Sequence, residues 1–283
     1  MIDFHFMAEE GWIDAHAHVW SDDTARYPLG EGYRKEQMRP ARFEPEELLA
    51  HARPCGVSRI VLIQMSYYRF DNAYMLDAMA RYPGTFGGVA VVDAGRREAP
   101  ERMRELKERG VRGFRILAPE VSAPAMEAMW ECAAREELAI CPLINPPELA
   151  ALEWMCAKHP RTPVVIDHFA RIGIDGEIRQ ADLESLCGLA RFPRVYVKVS
   201  AFYALGRKRY PYTDLLPMIE RLVRAYGAER LMWGTDCPYQ VMDGHGYEGS
   251  LELVRDRLRV KEAEREWLLR RTAARLFFPG DAL

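Results

Sequence analysis

Short runs rich in Val, Ile and Leu recur along the chain, separated by charged stretches whose apolar positions return every three or four residues. The runs cover residues 13–20, 58–64, 86–92, 111–117, 139–144, 163–168, 195–200 and 230–236. Helical stretches precede five of them, at 45–53, 73–81, 100–109, 125–137 and 148–158. Strands that alternate with helices build βαβ units, and their near-continuous apolar character means that both faces of the sheet are covered. Eight such repeats predict an α/β fold, a single (β/α)8 TIM barrel occupying residues 1–283 as one domain. The last stretch, 251–278, reads as closing helices packed on the outside. A doubly wound sheet would carry a Gly-rich phosphate loop, and the chain has no G-x-G-x-x-G or Walker sequence.

The polar residues that interrupt these runs gather at their carboxyl ends, the mouth at which such barrels do chemistry. His16 and His18 end the first run, Gln64 and Ser66 the second, and Arg115 sits near the end of the fourth. His168 ends the sixth, Lys198 and Ser200 the seventh, and Asp236 the eighth. Strict alternation in the first run puts Asp14, His16 and His18 on one face and Ile13, Ala15 and Ala17 on the other. Two imidazoles so spaced can share one metal ion or one substrate, and imidazole also carries protons near neutral pH. In the seventh run Val195, Val197 and Val199 face the helices, which turns Tyr196, Lys198 and Ser200 inward. A buried lysine needs partners, so this strand predicts a polar pocket.

Composition narrows the class. The chain has 283 residues, 49% hydrophobic and 29% charged, with a net charge of −3 and no basic patch or acidic tail. Nucleic-acid binding is therefore not expected. No apolar run approaches the roughly 18 residues of a membrane span, and the start Met1–Met7 lacks a signal-peptide pattern. Six cysteines without C-x-x-C spacing read as reduced. These features predict a cytoplasmic protein acting on a small molecule, with homo-oligomer formation possible. His5, His51, His159 and His245 lack strand-end placement and read as surface or local structural residues.

Taken together, Ile13-Asp14-Ala15-His16-Ala17-His18-Val19-Trp20, Val165-Ile166-Asp167-His168-Phe169 and Leu231-Met232-Trp233-Gly234-Thr235-Asp236-Cys237-Pro238 resemble the amidohydrolase superfamily. Within it they are similar to the amidohydrolase-2 branch of lactonases and decarboxylases. The resemblance implies that His16, His18 and Asp236 hold one divalent metal, zinc with manganese as the alternative, or that His16 and His18 polarise substrate in a metal-free enzyme. It also implies that Asp236 activates water and that His168 assists. The decarboxylases of the branch carry a further metal-ligating histidine after the fifth strand, where this chain has Asn145. Asparagine is a poor zinc ligand, which tilts the expectation toward lactone hydrolysis and away from non-oxidative decarboxylation. A catalytically silent binding barrel is the third reading, against which the four convergent strand ends count.

Arginine pairs with carboxylates in bidentate geometry, so Arg115, with Lys198, is the expected clamp for a carboxylated substrate; a structural salt bridge is the other role open to Arg115. Gly113 beside it is expected to leave space. Ser200, Gln64 and Ser66 are further expected substrate contacts. The segments 19–43 and 169–180 are expected to form the pocket rim, with Tyr67, Tyr68 and Phe70 of the 67–70 stretch and Phe202 and Tyr203 as aromatic walls.

Overall fold

The computed structural model describes residues 11–280; the expectations for Met1–Met7 and His5 lie outside these residues. Eight parallel strands pair in sequence order: β1 (Trp12–Ala17), β2 (Val57–Ile63), β3 (Phe86–Ala90), β4 (Val111–Leu117), β5 (Ala139–Leu143), β6 (Val164–Ile166), β7 (Val195–Val199) and β8 (Leu231–Trp233). The seam between β8 and β1 is drawn together by short backbone bonds from Asp236 N to His16 O and from His18 N to Cys237 O, both 2.7 Å. The result is a (β/α)8 TIM barrel. Gly234 permits the closure, because a Cβ there would lie 2.9 Å from the His16 nitrogen.

Between the strands run α1 (Pro45–Ala52), α2 (Ala73–Arg81), α3 (Ala99–Glu108), α4 (Glu127–Glu136), α5 (Leu149–Lys158), α6 (Gln180–Gly188) and α7 (Leu216–Tyr226). The α7 helix shows why these stretches fold as they do. Met218, Ile219, Leu222 and Tyr226 fall on one face and are buried, Pro217 suits the first turn, and Gly227 at φ +73° ends the helix. Each fully buried side chain of this kind contributes about 1.5–3 kcal/mol relative to exposure. None of the described helices is long and apolar enough to cross a membrane.

Strand alternation divides the apolar residues between two cores. Residues such as Ile60, Leu62, Val195 and Val197 pack between the sheet and the helices. Ile13, Ala15, Val61, Val89, Cys141, Val165, Tyr196 and Met232 fill the barrel interior. After α8 (Tyr247–Glu252) and α9 (Glu262–Glu266), the final helix α10 (Thr272–Phe277) departs from the expected outer position. Its Ala273, Ala274 and Phe277 join the interior core, so this helix plugs the amino-terminal end of the barrel. Small and apolar residues on one face let it enter where the charged closing helices could not.

The first strand also departs from strict alternation. Its pairing with β2 slips between Asp14 and Ala17, where three steps on β1 face two on β2. This bulge flips the parity. Asp14 therefore lies behind the barrel wall instead of sharing a face with His16 and His18. There its carboxylate accepts from the Thr235 amide (2.9 Å) and hydroxyl (2.5 Å), the Tyr247 hydroxyl (2.8 Å) and the His16 amide (3.0 Å), latching β1 to β8.

Candidate active site

Three strands leave the barrel through left-handed backbone at the polar mouth. After β6, His168, Phe169, Ala170 and Arg171 all have φ between +49° and +57°; after β7 Ala201 has φ +58°, and after β8 Asp236 has φ +67°. Each such non-glycine residue costs roughly 1–2 kcal/mol. Strain of this kind clusters where function dictates geometry. Here it turns both His168 and Arg171 toward one pocket, and it cuts β6 and β8 shorter than their apolar runs suggest.

The pocket holds about 240 Å³ and is lined by His18, Ser66, Arg115, His168, Arg171, Tyr203, Asp236 and Tyr239, with Met65, Leu143, Ile174 and Leu205 supplying apolar wall. At its base His16 Nε2 lies 3.3 Å from His18 Nε2. Asp236 Oδ1 is 3.4 Å from the first and 3.2 Å from the second. The His168 ring stands 4.3 Å from the His16 ring, centre to centre. The structure thus brings His16, His18, His168 and Asp236 together at one site.

Each group is oriented by a partner. His18 Nδ1 donates to Ile63 O at 2.9 Å, which leaves its Nε2 lone pair facing the site. His16 Nδ1 faces Asp167 Oδ1 at 3.3 Å while Arg115 Nη2 approaches its Nε2 at 3.3 Å. Burial, and then the Lys198 charge, drive the His16 pKa well below the usual imidazole range, so the ring is neutral. His168 Nδ1 meets Ser200 Oγ at 2.8 Å, and burial lowers its pKa to about 4. Asp236 is raised by burial but lowered more strongly by the surrounding imidazoles, His168 foremost, so it is ionised. Its Oδ2 accepts the Tyr203 hydroxyl at 2.6 Å.

Three donor atoms spaced 3.2–3.4 Å apart suit a divalent metal. Ligands about 2.0–2.1 Å from a tetrahedral zinc are themselves about 3.3 Å apart, and two imidazoles with a carboxylate form a common zinc-binding set. The Asp167 contact to His16 Nδ1, at 3.3 Å, has the arrangement in which an outer carboxylate orients a histidine able to hold a metal through its other nitrogen. His16, His18 and Asp236 are buried and compact enough to hold an ion.

Several expected substrate contacts lie elsewhere. Lys198 is fully buried beneath the pocket, 3.0 Å from Asp167 Oδ1 and 3.1 Å from His16 Nδ1. Ser200 supports His168, and Gln64 donates to Asp71 O, away from the pocket. Arg115 does reach the pocket, but its Nη2 and Nε lie 3.3 and 3.4 Å from Asp167 Oδ2, the salt bridge that was its second expected role. Gly113 leaves no space beside it, since a Cβ there would meet Cys141 Sγ at 3.1 Å. Asn145 takes a backbone bond from its N–H to Glu148 and does not line the pocket. The 19–43 segment packs Trp20, Met38 and Phe43 into the outer core rather than onto the pocket rim.

Sequence reasoning passed over three residues. Asp167 was inside a quoted motif, and its place between a buried strand and an inward histidine was the available signal. Tyr239 follows the Asp236 turn with no signal of its own. Arg171 lines the pocket, and among the described residues its guanidinium makes no hydrogen bond or ion pair.

Known proteins of the same architecture include enzymes that open lactones. The chain is 31% identical over 247 residues to L-fucono-1,5-lactonase of Burkholderia ambifaria, covering 82% of each. It is 29% identical to 4-sulfomuconolactone hydrolase of Rhizobium radiobacter, covering 83% of this chain and 78% of that one. A solved structure from Pseudomonas putida, provisionally assigned as a 2-pyrone-4,6-dicarboxylic acid hydrolase, superposes with a TM-score of 0.77 at 26% identity, over 96% of this chain and 99% of that one. With residues 13–278 matching the family's sequence pattern, the chain belongs to the Amidohydrolase family.

Proposed function

We propose that this protein hydrolyses the lactone ring of a small carboxylated molecule, with His16, His18 and Asp236 holding one divalent cation, zinc or alternatively manganese. The observation that carries the reading is the joint placement of an ionised carboxylate, three imidazoles and an arginine without a partner among the described residues around one small pocket. Its relatives among lactone hydrolases support the reaction class. A bound divalent cation would supply Lewis acidity, lowering the pKa of water and polarising the carbonyl.

The chain's own groups account for the proton and the charge. Asp236 is the base that takes a proton from attacking water, and it returns that proton to the ring oxygen when the ester C–O bond breaks. Tyr203 occupies Asp236 Oδ2 and so fixes the carboxylate plane. With Ser200 donating to Nδ1, His168 directs an Nε2–H into the pocket, where it serves the carbonyl or leaving oxygen. Asp167 and Lys198 hold His16 in place rather than touching substrate. On the pocket side of the barrel wall the buried acids Asp167 and Asp236 balance the two cations Arg115 and Lys198, so a bound metal and Arg171 leave the mouth positive. An anionic substrate fits that field.

The test is a panel of neutral and carboxylated lactones with aryl carboxylates, read by pH indicator and by CO₂ detection. Ring opening with acid release and no CO₂ is expected. Arg171→Gln should raise KM about tenfold on carboxylated lactones, the equivalent of about 1.4 kcal/mol, and leave neutral ones nearly unchanged. Stoichiometric CO₂ without ring opening would overturn the reaction; an Arg171→Gln effect equal on both lactone classes would overturn the clamp.

A further inference from the structure

A second cavity, of about 320 Å³, opens at the other end of the barrel. Its lining comes from strand entrances: Arg112 near the start of β4, Arg194 just before β7, and Tyr196 as the second residue of β7. Arg275 on the α10 plug closes one side. The pocket that holds Asp236 lies at the strand exits, so the two cavities face opposite ways.

The charges here do not cancel. Lys107 pairs with Glu136 at 2.9 Å, and Arg194 pairs with Glu137. Arg112 and Arg275 meet no carboxylate among the described residues. Arg112 Nη1 donates to Lys107 O (2.8 Å) and Val111 O (2.9 Å), and Arg275 Nη2 donates to Glu229 O (2.6 Å). Four cations and two carboxylates leave the cavity with an excess of two positive charges.

Capping the ends of helices explains one nitrogen of Arg112, because cations favour helix C-termini. It does not explain Tyr196. That side chain is 7% exposed and sits among Ile13, Ala15, Val89, Val165 and Met232, all apolar. Its hydroxyl lines the cavity and has no hydrogen-bond partner among the described residues; the Arg275 guanidinium lies over its ring at 5.6 Å. Arg194 Nε is also buried without a partner. Buried donors are normally satisfied, so Arg194 Nε is an exception, and a phenylalanine would fill the Tyr196 position without presenting a donor to the cavity. Donors of this kind, gathered around a cavity with net positive charge, match an oxyanion.

We propose that this cavity is a binding site for a small dianion, inorganic phosphate or a short dicarboxylate, held by Arg112, Arg275 and the Tyr196 hydroxyl. The ligand ties α10 to β4 and β7 and stabilises the barrel from the end opposite the catalytic pocket.

Isothermal titration of the full chain with phosphate and, separately, succinate tests this, at ionic strength held constant with chloride. Saturable binding of one or both is expected; tighter phosphate identifies a phosphate-type ligand and tighter succinate a dicarboxylate. Tyr196→Phe, which removes one oxygen and keeps the ring, should weaken binding about tenfold, as should Arg112→Gln. Arg171→Gln, at the opposite mouth, should remove at most a second binding event in the catalytic pocket and leave the event that Tyr196→Phe weakens unchanged. Absence of saturable binding by either anion overturns the proposal. So does an isotherm unaltered in Tyr196→Phe, or one abolished by Arg171→Gln, which would place the anion in the catalytic pocket.

Discussion

Lys198→Met separates a buried structural charge from a substrate-binding one. The lysine is fully buried, and its ammonium faces Asp167 Oδ1 at 3.0 Å and His16 Nδ1 at 3.1 Å. Methionine keeps the apolar stem and removes the charge. Asp167 would then keep only Arg115 as a cation, at 3.3 Å from its other oxygen. Burial already pushes the Asp167 pKa upward, and Lys198 is the foremost charge that overcomes this and holds it low. Removing one member of a buried ion pair costs about 3–5 kcal/mol. At about 2–4 °C per kcal/mol, Tm should fall by about 6–20 °C. Urea unfolding can be followed by tryptophan fluorescence, because Trp20, Trp130 and Trp233 are fully buried. The double variant Lys198→Met/Asp167→Asn removes the stranded carboxylate and should recover about half of the loss or more. A loss below about 1 kcal/mol, or a double variant as unstable as the two single effects added, would refute this account of the network.

Asp236→Asn keeps the shape of the base and removes its proton acceptor, so turnover should drop at least about 10²-fold; near-normal turnover in the folded variant would dismiss Asp236 as the base. The His168 pKa is lowered to about 4 in the folded protein from 6.5 in the free side chain. Between these values the unfolded chain binds more protons, so stability is full above pH 6.5 and should fall toward pH 4 by up to about 3 kcal/mol. Urea midpoints across that range should fall less steeply in His168→Asn, and parallel curves would argue against a neutral buried imidazole. Chelation followed by dialysis should abolish ring opening and lower Tm, with both restored by added zinc or manganese; activity and Tm indifferent to chelation would remove the metal from the site.

The barrel itself was legible along the chain, because a parallel strand covered on both faces must be apolar throughout, and helix-spaced residues precede five of these runs. His16, His18, His168 and Asp236 stood out for a related reason: polar groups at the ends of apolar strands have only the barrel mouth to occupy. Parity was less secure. Alternation correctly turned Lys198 inward, yet the bulge in β1 reversed Asp14, and a one-residue slip leaves no mark in a local pattern. The placement of Arg171 depends on four left-handed residues in succession, a conformation that none of His168, Phe169, Ala170 or Arg171 favours by itself. Partnership was likewise decided only in three dimensions. Arg115 and Lys198 have the same charge as Arg171, but Asp167, 52 positions from Arg115 along the chain, engages both of them and leaves Arg171 without a partner among the described residues. Local sequence sets which side chains can be buried, whereas the folded barrel sets which buried charge meets which, because those contacts join strands far apart in the chain.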